Sequence, residues 1–221
     1  MPKDTLPKPP QPPRLPVQPT AADLVADPLR SEETYTDLVV TGGDLAGQTA
    51  DGVSFIGCRF SRVGLTGTEF QRLRCRDVQF TECDFANARW LGARFHRVAL
   101  LDCRLLGFHA AEGQWQETLL HGCNGKLANF RFSSLKGVHF RGCDLTDTDF
   151  QGADLSGAVF QDCDLSNAEL SGAKLLGADL RGSRLDGLKI GVADLRGAIV
   201  DPTQAVGLIR LLGVVVTEAE S

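Results

Sequence analysis

Residues 150–170 read Phe150-Gln151-Gly152-Ala153-Asp154-Leu155-Ser156-Gly157-Ala158-Val159-Phe160-Gln161-Asp162-Cys163-Asp164-Leu165-Ser166-Asn167-Ala168-Glu169-Leu170. A large apolar residue falls at every fifth position, and a small one stands two places before it. A period of five matches neither the 3.6 of a helix nor the 2 of a strand, so the chain has to turn a corner in every repeat. One short extended side and one turn per pentad put both the large and the small residue inside, because strand side chains alternate. Four sides then close a square coil of twenty residues, with Gly152, Gly157, Gly172, Gly177, Gly182 and Gly187 at corners that need unusual dihedrals.

The same register extends in both directions. It runs through Phe55, Phe60, Leu65, Phe70, Cys75, Phe80, Phe85, Trp90, Phe95, Leu100 and Leu105, and onward to Leu175, Leu180, Leu185, Ile190, Leu195 and Val200. Stacking of coils predicts size compensation between them: Trp90 lies one coil from the small Ala110, whose partner two residues earlier is the bulky Phe108. The seven cysteines follow the lattice too, the last five (Cys83, Cys103, Cys123, Cys143 and Cys163) recurring every twenty residues as one inward column. An odd count with no CxxC pair speaks for reduced, buried thiols rather than a zinc or dithiol site.

Segments such as Ala153-Asp154-Leu155-Ser156-Gly157, Ala178-Asp179-Leu180-Arg181-Gly182 and Ala193-Asp194-Leu195-Arg196-Gly197 resemble the A(D/N)LXX consensus of the pentapeptide-repeat family. The resemblance implies an all-β fold, a right-handed quadrilateral parallel β-helix. Three regions are expected: a Pro-rich arm at 1–30, a β-helix at 31–201, and a capping and dimerisation segment at 202–221. Nine of the ten prolines lie at or before Pro28, which predicts a disordered or polyproline-like arm. Thr20 is expected to cap a short helix through Ala26.

The whole-chain numbers limit function. Of 221 residues, 23 are Lys or Arg and 28 Asp or Glu, giving a net charge of -5, which argues against direct nucleic-acid binding by bulk phosphate neutralisation. Neither a run of about 18 apolar residues nor a secretory h-region is readable, so no membrane partner is expected and the cytoplasm is the expected compartment. His96, His109, His121 and His139 sit at outward phases, on what the spacing suggests are different sides, without a nucleophile in their columns. No phosphate loop, dinucleotide fingerprint or metal constellation is present, so no catalytic, cofactor or metal site is expected.

At the far end, Asp201-Pro202-Thr203-Gln204 reads as an N-cap, a proline at the first helical position and a capping box, opening a helix to about Leu212 that Gly213 closes. Its apolar surface exceeds what an end cap needs, which predicts a homodimer through Ala205, Leu208, Ile209 and Leu212. Charge is also uneven: Asp51–Phe140 carries 12 basic and 8 acidic residues, Arg141–Val200 carries 6 and 10. Asp144, Asp147, Asp149, Asp154, Asp162 and Asp164 are opposed within their own span only by Arg141. A long rod with a negative middle has the form of a DNA mimic. The C-terminal helix and Val-rich tail resemble the quinolone-resistance (Qnr-type) branch of the family, and that resemblance implies DNA gyrase or topoisomerase IV as partner, engaged through the six aspartates. The alternative is a scaffolding solenoid that binds an unrelated protein, with Leu106 and Leu127 on its surface.

Overall fold

The structure is a computed structural model in which residues 8–211 and 213–217 are described. Every β contact in the repeat region is parallel, and nearly every one joins a residue to its equivalent twenty positions on. Three long strands, Arg74–Thr81, Arg94–Leu101 and Gln114–His121, span two sides each and pair in register, with Arg74 opposite Arg94 and Arg94 opposite Gln114. Elsewhere the sides are short strands, such as His139–Arg141 paired with Val159–Gln161, or meet as single bridges, as in the series Asp84↔Arg104, Arg104↔Asn124, Asn124↔Asp144 and Asp144↔Asp164. This is the quadrilateral parallel β-helix that the five-residue period predicts.

The interior is a stack of the fifth residues. Phe60, Phe70, Phe80, Phe85, Phe108, Phe130, Phe140, Phe150 and Phe160 are all buried. Rings repeat from coil to coil, Phe140 over Phe160 with centroids 4.8 Å apart and Phe130 over Phe150 at 5.4 Å. The predicted compensation is present: the Phe108 ring fills the space beside Trp90, centroids 5.6 Å apart at 81°. All seven cysteines are buried and free. Six of the thiols donate to carbonyls at hand, Cys123 Sγ to Leu100 O at 3.4 Å and Cys143 Sγ to Leu120 O at 3.5 Å among them. Hydroxyls at the same small inward position do likewise, Thr148 Oγ1 to Gly125 O at 2.9 Å and Ser133 Oγ to Ala110 O at 3.0 Å. That is why the lattice admits small polar residues without leaving them unsatisfied.

Corners adopt positive φ, and by no means only at glycine: Asp77, Arg97, Glu117, Asp147 and Asp162 lie between 49° and 56°. Glycine is required where a neighbour also closes the space. A Cβ on Gly152 (φ +67°) would meet the Phe132 ring at 2.5 Å.

The N-terminal segment departs from expectation. The described part of the Pro-rich arm is not free: it runs along one corner of the coil, Gln11 N donating to Glu117 Oε2 (2.6 Å) and Arg14 N to Asp77 Oδ1 (2.9 Å), with Pro16 against Gly57. A polyproline chain rises about 3.1 Å per residue, so the five steps from Gln11 to Pro16 cover about 15 Å. Three coil spacings of about 4.8 Å, from the corner of Gly57 to that of Glu117, cover about 14 Å. The arm is thus commensurate with the stack it lies on. Thr20–Ala21 is a strand paired with Leu38–Val39, not the start of a helix. Asp23 instead caps a single turn, accepting from Val25 N and Ala26 N, while Leu24 and Leu29 close the bottom of the core.

At the other end the helix Pro202–Leu211 opens with the predicted reciprocal box, Asp201 Oδ1 accepting from Gln204 N and Gln204 Oε1 from Asp201 N, each at 2.9 Å. Gln204 Nε2 also donates to Leu180 O and Ser183 O, tying the helix to the last regular coil. Among the described residues no helix is long and apolar enough to cross a membrane.

Candidate functional site

The four sides sort the six aspartates. Asp144 and Asp164 are direct neighbours on one side, with Asp162 at the corner before Asp164 and Asp147 at the corner after Asp144. Asp149 lies on the next side. Asp154 does not join them: it belongs to the column Ser134, Asp154, Lys174, on the opposite side of the square.

Four of the six carry out local structural work. Asp144 Oδ1 accepts from Thr146 N (3.0 Å) and Thr146 Oγ1 (2.6 Å), and Asp164 Oδ1 from Ser166 N (2.9 Å) and Ser166 Oγ (2.6 Å). Asp149 and Asp154 hold Gln151 N and Ser156 N in the same way. These are Asx turns, the reason Asp and Asn suit the position before the large residue.

Cations from neighbouring coils then neutralise three of them. Arg131 Nη1 lies 3.3 Å from Asp149, Lys136 Nζ 3.1 Å from Asp154 and Arg184 Nη1 3.2 Å from Asp164. Burial acts against ionisation of Asp154 and Asp164, but hydrogen bonds from Ser156 and Ser166, with Lys136 and Arg184, outweigh it and hold both below the usual carboxylate range. Arg141, the one cation within the sequence span, forms no ion pair with them among the described residues. The acidity still open to a partner is therefore Asp144, Asp147 and Asp162.

The apolar cap divides in two. Leu208 is buried against the last coil and is unavailable as an interface residue, a correction to its assignment as surplus surface. Ala205 is half-buried, whereas Val206 and Ile209 are about 40% exposed and Val215 is 84% exposed. Leu212 lies outside the described residues.

The histidines do not converge. His121 and His139 share one side rather than standing on different ones, and His139, expected to face solvent, is 2% exposed between Leu119 and Val159. Burial and the Arg141 charge push its pKa down. Among the described residues no three metal-binding side chains cluster.

Sequence reasoning missed a clamp on the arm corner. Arg97 grips Asp77 through Nε (2.6 Å) and Nη2 (2.7 Å), and the same carboxylate receives Arg14 N. The Arg97 bonds hold Asp77 below its ordinary pKa despite burial. The available signal was the corner column itself, which reads Asp77, Arg97, Glu117 where the later coils have Gly137, Gly157 and Gly177.

With the coil geometry established, the comparisons fall into place. A family model for the pentapeptide repeat region matches residues 93–170, and one for pentapeptide repeats in eight copies matches residues 163–200. Pentapeptide repeats thus run through residues 93–200 of the chain. Among curated proteins nothing matches it. Solved structures similar to this chain include HetL, a pentapeptide-repeat protein involved in heterocyst differentiation regulation in the cyanobacterium Nostoc sp. strain PCC 7120 (21% identity, 76% of this chain, 87% of that chain, TM-score 0.37). Another is a trypsin-treated variant of QnrB1, a plasmid-mediated fluoroquinolone resistance protein (23% identity, 85% and 91%, TM-score 0.37). A third is a pentapeptide-repeat protein of the Arabidopsis thaliana thylakoid lumen (26% identity, 44% and 64%, TM-score 0.30).

Proposed function

We propose that this protein is a non-enzymatic, cytoplasmic binding module that imitates duplex DNA and engages a type II topoisomerase, gyrase or topoisomerase IV. The observation that carries the reading is the group Asp144, Asp147 and Asp162, which have no ion-pair partner among the described residues and lie on and at the two corners of the side where Asp144 and Asp164 stand in register. It forms a continuous acidic band on one side, wrapping onto its neighbours. A fixed band of carboxylates on a rigid rod suits a basic DNA-binding saddle, where complementarity governs association rate and specificity. A homodimer through Ala205, Val206 and Ile209 doubles the length of the rod and places one acidic band on each side of the seam.

Supercoiling assays with gyrase test this. The wild type is expected to inhibit in competition with DNA and less so as salt rises. The triple variant Asp144→Asn, Asp147→Asn, Asp162→Asn is expected to lose inhibition, since Asn keeps the acceptor that the Thr146 turn needs. Wild type inert towards both enzymes at low salt overturns the reading.

A second reading, a scaffold for an unrelated protein, is favoured by Leu127 and Phe132. Both hold positive φ (60° and 57°) and both are more than half exposed, with Arg131 5.5 Å above the Phe132 ring. Leu106, expected beside Leu127, is half-buried. A partner captured by the wild type and lost with Phe132→Asn, while the triple Asn variant still binds it, selects this reading.

A further inference from the structure

The strongest unassigned feature lies on the side opposite the acidic band, in the first coils. There Arg74 stands in register against Arg94, and Arg76 against His96. At other such positions a cation meets an acid, as Arg104 meets Asp84 at 2.9 Å and Arg184 meets Asp164 at 3.2 Å. Like charges directly opposite one another on a sheet destabilise it. Here the fold supplies nothing to offset them. Arg74, Arg76 and Arg94 are exposed and have no ion-pair or hydrogen-bond partner in the described structure.

Three carboxylates of the adjoining corners have partners of their own. Asp77 is held by both Arg97 and Arg14 N, Glu117 receives Gln11 N, and Glu32 pairs with Arg72 at 2.8 Å. The docked arm thus adds backbone donors to Asp77 and Glu117, and none of these carboxylates pairs with Arg74, Arg76 or Arg94. Arg97 Nη1 approaches His96 Nε2 at 3.3 Å, and with the guanidinium as donor the imidazole proton resides on Nδ1.

These side chains line a groove of about 270 Å³ whose remaining walls are Ser54, Phe55, Ile56 and Cys75. Its charge stops abruptly, at Ser54 and Ile56 on one side and at Gln114 and Gln116 on the other. Two cationic rungs about 4.8 Å apart suit adjacent phosphoryl groups of one small molecule. They are too few for the extended track that a nucleic-acid backbone follows. Arginine is the side chain whose planar fork matches phosphate oxygens in pairs.

We propose that the groove formed by Arg74, Arg76, Arg94 and His96 is a binding site for a small diphosphate-bearing ligand. It is independent of the acidic band and of the partner assigned to that band.

Calorimetric titration of the full chain with inorganic pyrophosphate at low ionic strength tests it. One equivalent is expected to bind, with affinity reduced at least tenfold in Arg76→Gln/Arg94→Gln and unchanged in Arg89→Gln, whose arginine lies on another side beside Glu69. Circular dichroism establishes that each variant is folded; if the double variant is not, Arg74→Gln alone is expected to show the same direction of loss. Absence of pyrophosphate binding by the wild type, or equal binding by the folded groove variants, overturns the proposal. So does binding confined to a 20-nucleotide DNA strand or to polyglutamate, which identifies an extended nucleic-acid or acidic-peptide surface instead.

Discussion

Phe150→Ala removes one ring from the middle of the aromatic stack, and the solenoid geometry makes the consequence specific. Phe150 is fully buried and touches three rings: Phe130 stacked at 5.4 Å, Phe140 at 6.1 Å and Phe160 at 6.0 Å, the last two edge-on. Truncating such a side chain costs about 3–5 kcal/mol, the transfer term plus the cavity that rigid neighbouring coils cannot close. With a urea slope of about 3 kcal/mol per molar, the midpoint falls by about 1.0–1.7 M. The loss is not shared evenly, because each coil contacts only the coils next to it and the stability of a solenoid is a sum of neighbour terms.

The chain carries a built-in reporter for that asymmetry. Its two tryptophans, Trp90 and Trp115, are both buried on the N-terminal side of Phe150. In the wild type, tryptophan fluorescence and far-ultraviolet circular dichroism are expected to unfold together. In Phe150→Ala the dichroism transition is expected to begin at lower urea than the fluorescence transition, as the C-terminal coils detach while those around the tryptophans persist. Coincident transitions at an unchanged midpoint would refute both the inward placement of Phe150 and the neighbour-by-neighbour account of stability.

All seven thiols are buried, and burial also raises the pKa of Cys75 well above its ordinary value, so native protein is expected to react slowly with a thiol reagent, all seven groups reacting only in denaturant; rapid native labelling of several would contradict the inward placement. Asp77 is depressed in the folded state by Arg97, so its contribution is present above the unfolded carboxylate value of about 3.9 and is lost as pH falls through the lower folded value. Melting curves are therefore expected to fall more steeply between about pH 4 and pH 2 for the wild type than for Asp77→Asn; parallel curves would contradict the clamp. Leu208→Glu is expected to melt the cap by burying a carboxylate, whereas Ile209→Glu is expected to leave stability within about 0.5 kcal/mol and to yield monomers in sedimentation; a wild type already monomeric at micromolar concentration removes the dimer.

The core was legible because a solenoid writes its packing into a short period. Once Phe150, Leu155, Phe160 and Leu165 fix the phase, every inward residue follows, including the cysteine column and the exchange of bulk between Trp90 and Phe108. The cap was legible for a different reason: the Asp201–Gln204 box is local, and local hydrogen bonds leave a local signature. The docked arm left none. Its two anchoring bonds join residues 63 and 106 positions apart, and the corner carboxylates that receive them look like ordinary solvated charges. His139 was misread because the phase says only that it points away from the axis, which does not make it solvent-exposed.

Net charge was the most misleading quantity, and the coil geometry explains why. Counted along the chain, Asp51–Phe140 is basic and Arg141–Val200 acidic. What a partner meets is the charge left after pairing, and the pairs that take up this cluster run between coils, at separations of 18 to 20 residues, as in Arg131 with Asp149 and Arg184 with Asp164. Asp149, Asp154 and Asp164 disappear into such pairs and Asp77 into the arm clamp, so half of the six-aspartate cluster is neutralised. Arg74, Arg76 and Arg94, in a protein of net charge -5, stay unpaired because the register sets Arg74 against Arg94 and Arg76 against His96. The free charge on this rod is thus fixed by a twenty-residue register, and it places a compact cationic groove and a thinner acidic band on opposite sides of the same solenoid.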